Sequence, residues 1–372
     1  MYLKKTVKLK PNKEQEQIIN QLMQEYIKAI NFALDIYIKK GPDEKITSAD
    51  IPQSLPSSMK NAAIKDAKRQ YTHFSRLHAE DTVRILLNPG ELIEKRIPYV
   101  KNPYAKWSKN TCYLNKKTIS LPIWNNNHYE RVKINYLMPE ELYQFFLSHP
   151  PLSVELIWQK KKLLAHFTYF KQEPALKSNK NKPENVMGVD LNLKCPAVCV
   201  TSENKVLFAG NGREMQYMKR HYKAVRKKLQ QQGKITELNH ISGKEKQYMN
   251  DKDHQISRAV INFALKENVT EIHLEKLTGA QKNISSPQKA QRQQIATWSY
   301  HRLSNYIEYK AKLAGIKVVF VSPVFTSQIC PKCQEKTKTI KGGMFTCPVC
   351  GYTVHNDLLA AMNIRDRKPF KK

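Results

Sequence analysis

Cys330, Cys333, Cys347 and Cys350 are spaced C-x2-C-x13-C-x2-C near the C-terminus. Each short pair lets its thiolates face a single ion, and two such pairs saturate the tetrahedral site that Zn²⁺ prefers. The intervening QEKTKTIKGGMFT supplies a hairpin that turns at Gly342 and Gly343. A closed four-thiolate site is structural. A redox CxxC pair is the competing reading, but a pair doubled across a polar hairpin favours metal. The other cysteines, Cys112, Cys195 and Cys199, fall singly in or near strand-like stretches and read as reduced thiols.

Acids form the second chemical signal. Asp190 sits between Val189 and Leu191 in the middle of an apolar strand, Glu275 closes a strand after Ile272 and Leu274, and Asp357 opens a short apolar helix just past the last cysteine. A carboxylate at a strand centre is costly to bury unless it meets a cation. Taken singly, Glu275 could be an exposed strand end and Asp357 a helix cap. Together, Asp190, Glu275 and Asp357 could hold two Mg²⁺ ions roughly 3.5–4 Å apart, an arrangement that activates water and stabilises the leaving oxygen in phosphodiester hydrolysis.

Period-two and period-3.6 patterns outline the elements that must position these groups. TVKLK is a strand, and Asn12 with Gln15 opens a helix in capping-box fashion. That helix and a second run, SSMKNAAIKDAKRQYTHFSRL, make a helical subdomain from about residue 13 to 84. From 85 to 175 the chain is β-rich, and Lys101, Lys106, Lys109, Lys116, Lys117, Tyr99, Tyr104, Trp107 and Tyr113 are interleaved there. This mixture suits backbone contacts and base stacking. Filling a core is an equally good use of any one of the aromatics. KSNKNKPEN, near 176–185, reads as a linker. After it come three strands, two helical runs (REMQYMKRHYKAVRKKLQQQ and HQISRAVINFALKEN), the strand VTEIHLEKL, a long helix from Gln293 to the stop at Gly315, and the strand IKVVFVSP. Three strands followed by alternating helix and strand is an α/β pattern, with the strand succession of the RNase H-like fold. The cysteine ribbon is then an insertion between the fifth strand and the helix that carries Asp357.

Charge points to a partner. The 372 residues carry 63 Lys and Arg against 32 Asp and Glu, a net +31. Small soluble domains usually carry about 2 to 8, so a surplus of this size calls for a polyanion, and nucleic acid is the first candidate. No stretch approaches 18 uninterrupted apolar residues, and MYLKKTVKLKPNKEQ lacks the apolar core of a signal peptide. The expectation is an intracellular protein with no membrane partner.

The segments GVDLN, IHLEKL, WSYHRLSNYIEYKAKLAGIKVVFVSPVFTSQICPKC and TCPVCGYTVHNDLLAAMNI, with LKPNKEQ near the start, resemble TnpB, the transposon-encoded RNA-guided DNA nucleases related to the compact type V CRISPR effectors. The resemblance runs over nearly the whole chain and is most specific from Gly188 onward. It implies a multi-domain α/β protein. Residues 1–12 would give the first strand of a β-barrel wedge domain, 13–84 a helical recognition domain, and 85–175 the rest of the wedge. A RuvC-like nuclease domain with a basic helical insertion would follow over 186–326, then a zinc ribbon over 327–352, the last RuvC helix over 353–366 and a basic tail over 367–372. The resemblance also implies Asp190, Glu275 and Asp357 as an acidic triad using Mg²⁺ or Mn²⁺, one structural Zn²⁺ on the four cysteines, and a guide RNA and double-stranded target DNA as partners of a monomer in a prokaryotic cytoplasm. Leu359 stands where the family commonly has Asn. Relatives that have lost the triad act as RNA-guided repressors, and a guide-free junction-resolvase type of nuclease would share the acids without needing the N-terminal half.

Overall fold

The computed structural model describes residues 1–87, 98–108, 111–125, 128–159, 161–174, 185–276, 300–337 and 340–368. It divides into two compact units, Met1–Gln172 and Glu173–Lys372. The linker expected near 176–185 (Asn185 apart), Lys109, the start of the helix expected from Gln293, and the end of the basic tail lie outside the described residues.

In the first unit, β1 (Tyr2–Lys10) buries Val7 and Leu9 while Lys8 and Lys10 stay exposed, the alternation of a strand with one wet face. Helix α1 (Lys13–Lys40) opens on the Asn12–Gln15 capping box and stops at Gly41, whose φ of 92° suits glycine. Its buried stripe, including Ile19, Met23, Tyr26, Ile30 and Leu34, packs with α2 (Ser57–Leu87). There follow β2 (Tyr104–Ser108), β3 (Tyr113–Leu114), β4 (Thr118–Asn125), β5 (His128–Leu137), α3 (Glu140–Ser148), β6 (Ser153–Gln159) and β7 (Lys162–Phe170). The strands form one antiparallel sheet in the order β2-β6-β7-β1-β5-β4-β3. Its end strands β2 and β3 are not paired with each other among the described residues, so the expected barrel is here a seven-stranded sheet without a closing ladder. Helix α3 falls in a stretch read as wholly β-rich. Its signals are local and short, Pro139 at the N-cap and Glu140 and Glu141 in the first turn.

The structure divides the supposed stacking residues. Trp107 is fully buried and donates its Nε1–H to the Pro122 carbonyl at 2.9 Å. Tyr104 and Lys106 turn inward to Asp66. Tyr99 and Tyr113 stay exposed, and the Arg131 guanidinium lies 4.3 Å from the Tyr113 ring centroid.

The second unit has β8 (Val186–Asp190), β9 (Ala197–Thr201), β10 (Val206–Ala209), α4 (Gly212–Gln231), α5 (Ile235–Ile241), α6 (Lys244–Lys266), β11 (Glu271–Glu275), α7 (Tyr300–Leu313) and β12 (Lys317–Val321). Helix α6 starts ten residues before the apolar run that announces it, because Lys244–Asp253 is dense in charge and shows little periodicity. The sheet order is β10-β9-β8-β11-β12, with β10, β9 and β8 antiparallel and β8, β11 and β12 parallel. Met187, Val189, Ile272 and Leu274 form a core with Ile256, Val260, Ile261, Leu303 and Ile307 of α6 and α7. The opposite face carries α8 (Asn356–Asp366), whose Ala361 packs with Val198 and Val200. A three-stranded ribbon of β13 (Ile340–Lys341), β14 (Met344–Thr346) and β15 (Thr353–His355) leads straight into α8.

Candidate active site

Strand register brings Asp190 and Glu275 together. In the parallel pairing of β8 with β11, His273 lies level with Gly188 and Leu274 with Val189, so the next step sets Glu275 level with Asp190. Residues level on adjacent parallel strands share a face, roughly 4.8 Å apart. Asp190 is the last residue of β8 rather than its middle, and Glu275 is the last of β11. Both carboxylates therefore stand at the C-terminal edge of the sheet.

Gly188 explains how the third acid arrives. A Cβ there would collide with the Ala361 carbonyl oxygen and the Arg365 backbone nitrogen, so glycine lets α8 lie directly on the strand. Asp190, two residues on, shares the face of Gly188. Asp357 lies one helical turn before Ala361, toward the same sheet edge. His273 fixes the other end of α8: one ring nitrogen contacts the Ile364 carbonyl at 3.1 Å and the other contacts Glu271 at 2.8 Å. Asp357 is not the helix cap. That role belongs to His355, whose Nδ1 accepts the Asp357 backbone N–H at 3.3 Å.

The electrostatics are those of a negative cluster that its neighbours offset only in part. Burial pushes the Asp190 carboxyl up to about 7, the nearby Glu275 and Asp357 carboxylates add to the rise, and one hydrogen bond from Asn192 (3.0 Å) opposes it. Glu275 is also raised by burial, partly offset by a 2.6 Å hydrogen bond from Thr326 and by the charge of Arg367. A group of like charges with so few donors, Asp190 buried and Glu275 and Asp357 half-buried, has the chemistry to hold a cation. Its three acids do not all come within 4.8 Å of one another. Among the described residues that spacing is reached by one donor group, Cys330, Cys333, Cys347 and Cys350.

Those thiols suit one metal ion. The Cys330–Cys350 and Cys333–Cys347 sulfur distances are 3.6 and 3.5 Å, close to the roughly 3.8 Å edge of a tetrahedron with Zn–S of about 2.3 Å. Cys112, Cys195 and Cys199 stand apart from them as free thiols.

A cavity of about 620 Å³ opens beside Asp357, between the Asn192–Cys195 loop, Phe208, Arg213 and the ribbon turn at Gly343. The Lys194 and Arg213 side chains are exposed and have no acceptor among the described residues, and half of Phe208 is exposed. No helix of the described residues is long and apolar enough to cross a membrane.

Residues 300–364, which include the four cysteines, Asp357 and the helices on either side, match the family model of the Cas12f1-like TNB domain. The chain is 29% identical over 190 residues to the TnpB-like protein MJ0751 of Methanocaldococcus jannaschii, an alignment covering 49% of this chain and 68% of that protein. The chain is related to the TnpB-like proteins and carries a Cas12f1-like TNB domain. It is also 28% identical over 195 residues to the endodeoxyribonuclease Cas12f1 of Sulfoacidibacillus thermotolerans, covering 48% of this chain and 44% of that one. A solved complex of Cas12f1 with guide RNA and target DNA shares the fold over 95% of this chain and 83% of its own, with a TM-score of 0.67 and 16% identity. The RNA-guided endonuclease Cas_phi3 does so over 98% and 92%, with a TM-score of 0.57 and 12% identity. The chain thus shares the mixed α/β fold of these solved structures.

Sequence reading did not single out Gly188, His273, Thr326 or Asn363. Gly188 and His273 lie within or beside the motifs GVDLN and IHLEKL, so proximity to an acid was their available signal.

Proposed function

We propose that this TnpB-like chain is a guide-RNA-dependent DNA endonuclease, with Asp190, Glu275 and Asp357 holding its catalytic Mg²⁺ or Mn²⁺ ions. The observation that carries this reading is the convergence of three acids, from two parallel strands and one helix start, on one sheet edge with few compensating donors. The sheet order β10-β9-β8-β11-β12 supports a RuvC-like assignment of the domain. The ions would activate water and stabilise the leaving oxygen of a phosphodiester.

The chain's own groups perform the remaining tasks. Lys194 and Arg213 offset the repulsion between the acids and an incoming phosphate backbone, and the exposed Phe208 ring offers a surface for an unstacked base. Such stacking favours a single strand at the acids. The +31 charge suits an RNA and its heteroduplex, held by backbone and shape while base pairing reads sequence. The ribbon's role is structural, with one Zn²⁺ per chain.

The test is to purify the chain from its host, sequence the RNA that accompanies it, and measure Mg²⁺-dependent cleavage of a plasmid matching that RNA. Elemental analysis should give one zinc. Cleavage that needs the matching RNA and is lost in Asp190→Asn supports the proposal. Cleavage without RNA overturns the guided part, and full cleavage by Asp190→Asn overturns the site.

A further inference from the structure

Glu275 is held by a neighbour that belongs to the root of the ribbon. The Thr326 hydroxyl donates to Glu275 Oε1 at 2.6 Å, and Thr326 is 6% exposed. Its backbone carbonyl is held in turn. Asn363, 7% exposed on α8, spends both side-chain protons on this segment, donating to the Thr326 carbonyl at 2.7 Å and the Ile329 carbonyl at 2.8 Å. The next residue is Cys330, the first and a fully buried cysteine of the ribbon. An unbroken set of covalent and hydrogen bonds therefore joins the four-thiolate site to one acid of the cluster. The Cys330 backbone amide also bonds to the Glu335 carbonyl at 2.9 Å, which closes the first cysteine turn beside that path.

A hydroxyl has one proton, and with the Glu275 carboxylate 2.6 Å away the carboxylate is the acceptor that gains most. The bond fixes which Glu275 oxygen is engaged and leaves the other for a cation. We infer that Thr326 and Asn363 are positioning residues that orient Glu275 for divalent-ion binding, and that the folded zinc ribbon enforces this orientation. The inference rests on the proposed reading of Glu275 as a ligand. It makes the ribbon a determinant of ion affinity at the acids as well as a structural module.

Manganese binding provides a readout other than cleavage. The full chain, freed of nucleic acid at high salt, is titrated with Mn²⁺ and free Mn²⁺ is followed by electron paramagnetic resonance, with Asp190→Asn defining binding elsewhere on the protein. Thr326→Val keeps the shape and removes the donor, so site affinity should fall by roughly 10–100-fold, the usual effect of losing a partner that orients a metal ligand. Thr326→Ser restores the donor and should return affinity to near that of the parent. Asn363→Leu should match Thr326→Val while its zinc content stays at one per chain. Parent-like Mn²⁺ affinity in Thr326→Val overturns the inference. So does equal weakening in Thr326→Ser, because that would trace the effect to packing. If Asn363→Leu loses zinc or fails to fold, the Val and Ser pair at 326 still decides. Glu275→Gln separates the two levels: if it binds Mn²⁺ like the parent, the site reading fails, whereas weak Glu275→Gln beside parent-like Thr326→Val rejects the positioning role alone.

Discussion

Asp66 and Asp190 are equally hidden, 5% and 8% exposed, yet their surroundings are opposite. Asp66 takes a hydrogen bond on one oxygen from each of Tyr26 and Tyr104, both at 3.1 Å, and its other oxygen meets Lys106 at 3.0 Å and Arg69 at 3.3 Å. Burial and the carboxylate raise both phenols above their ordinary range, so they remain donors at any working pH. Asp190 has a single amide donor, Asn192, and two acids for company. A fully partnered buried carboxylate is architecture, tying α2 to α1 and β2 in the first unit. One with a single neutral donor and two acidic neighbours is left with charge that a cation could neutralise.

Stability separates the two most sharply. Asp66→Asn should destabilise the first unit by about 3–5 kcal/mol, because it strands the Lys106 charge in a largely buried place. Chemical denaturation measures this, and Mn²⁺ binding at the acids should not move. A loss below about 1 kcal/mol would break the comparison, since Asp66 would then be no more engaged than a surface ion pair.

Asp190→Asn should act in the other direction on the protein without added divalent ions. The carboxyl is raised from 3.8 to about 7, so the native state binds more protons than the unfolded chain between those values. Stability therefore falls as pH rises from about 4 to about 7 and is flat in this respect above 7. The full shift sets an upper limit of about 4 kcal/mol. Asp190→Asn should lose the slope, unfold later at pH 8 than the parent, and cleave at least about 100-fold less, beyond the usual effect of losing a ligand's neighbour. A variant less stable at pH 8 would mean that Asp190 is partnered after all.

Much of this was legible in the sequence, and what escaped has a common cause. The cysteine spacing, Glu275 at a strand end and Asp357 at a helix start are local, and a few residues specify them, whereas Asp190, read as mid-strand, ends β8. Register is not local. That Glu275 stands level with Asp190, that Gly188 lies under Ala361 and that Asn363 reaches the Thr326 carbonyl depend on pairings across 85, 173 and 37 residues of chain. The fate of Trp107 and Tyr104 was equally nonlocal: an aromatic among lysines looks the same in sequence whether it faces solvent or, as here, the core. The α/β pattern of the second unit was read from period alone, whereas the nine-residue α3 was too short for period to reveal.

Gly188→Ala probes how the acids are assembled. The added methyl meets the backbone of α8 at Ala361 and Arg365, which cannot step aside as a side-chain tip could, so the helix must lift. Overpacking of this kind costs about 1–3 kcal/mol. Because α8 carries Asp357, cleavage should fall with it, and Mn²⁺ affinity should weaken although no acid has changed. Unchanged stability together with parent-like cleavage would show that the close approach at Gly188 does not set the position of Asp357.

The smallest expected effect on stability, at Asp357, is the most informative about role. His355 already occupies the cap position, so Asp357 contributes to its helix chiefly through charge near the N-terminus of α8. Such a charge is worth about 0.3–1 kcal/mol, and removing it also relieves repulsion on Asp190, which offsets part of the loss. Asp357→Asn should therefore melt within about 1 kcal/mol of the parent while cutting falls at least as far as in Asp190→Asn and binding of guide RNA and matched DNA persists. A large loss of stability would make Asp357 a structural residue like Asp66. Retained cutting would remove it from the site and leave Asp190 and Glu275 as a two-acid edge.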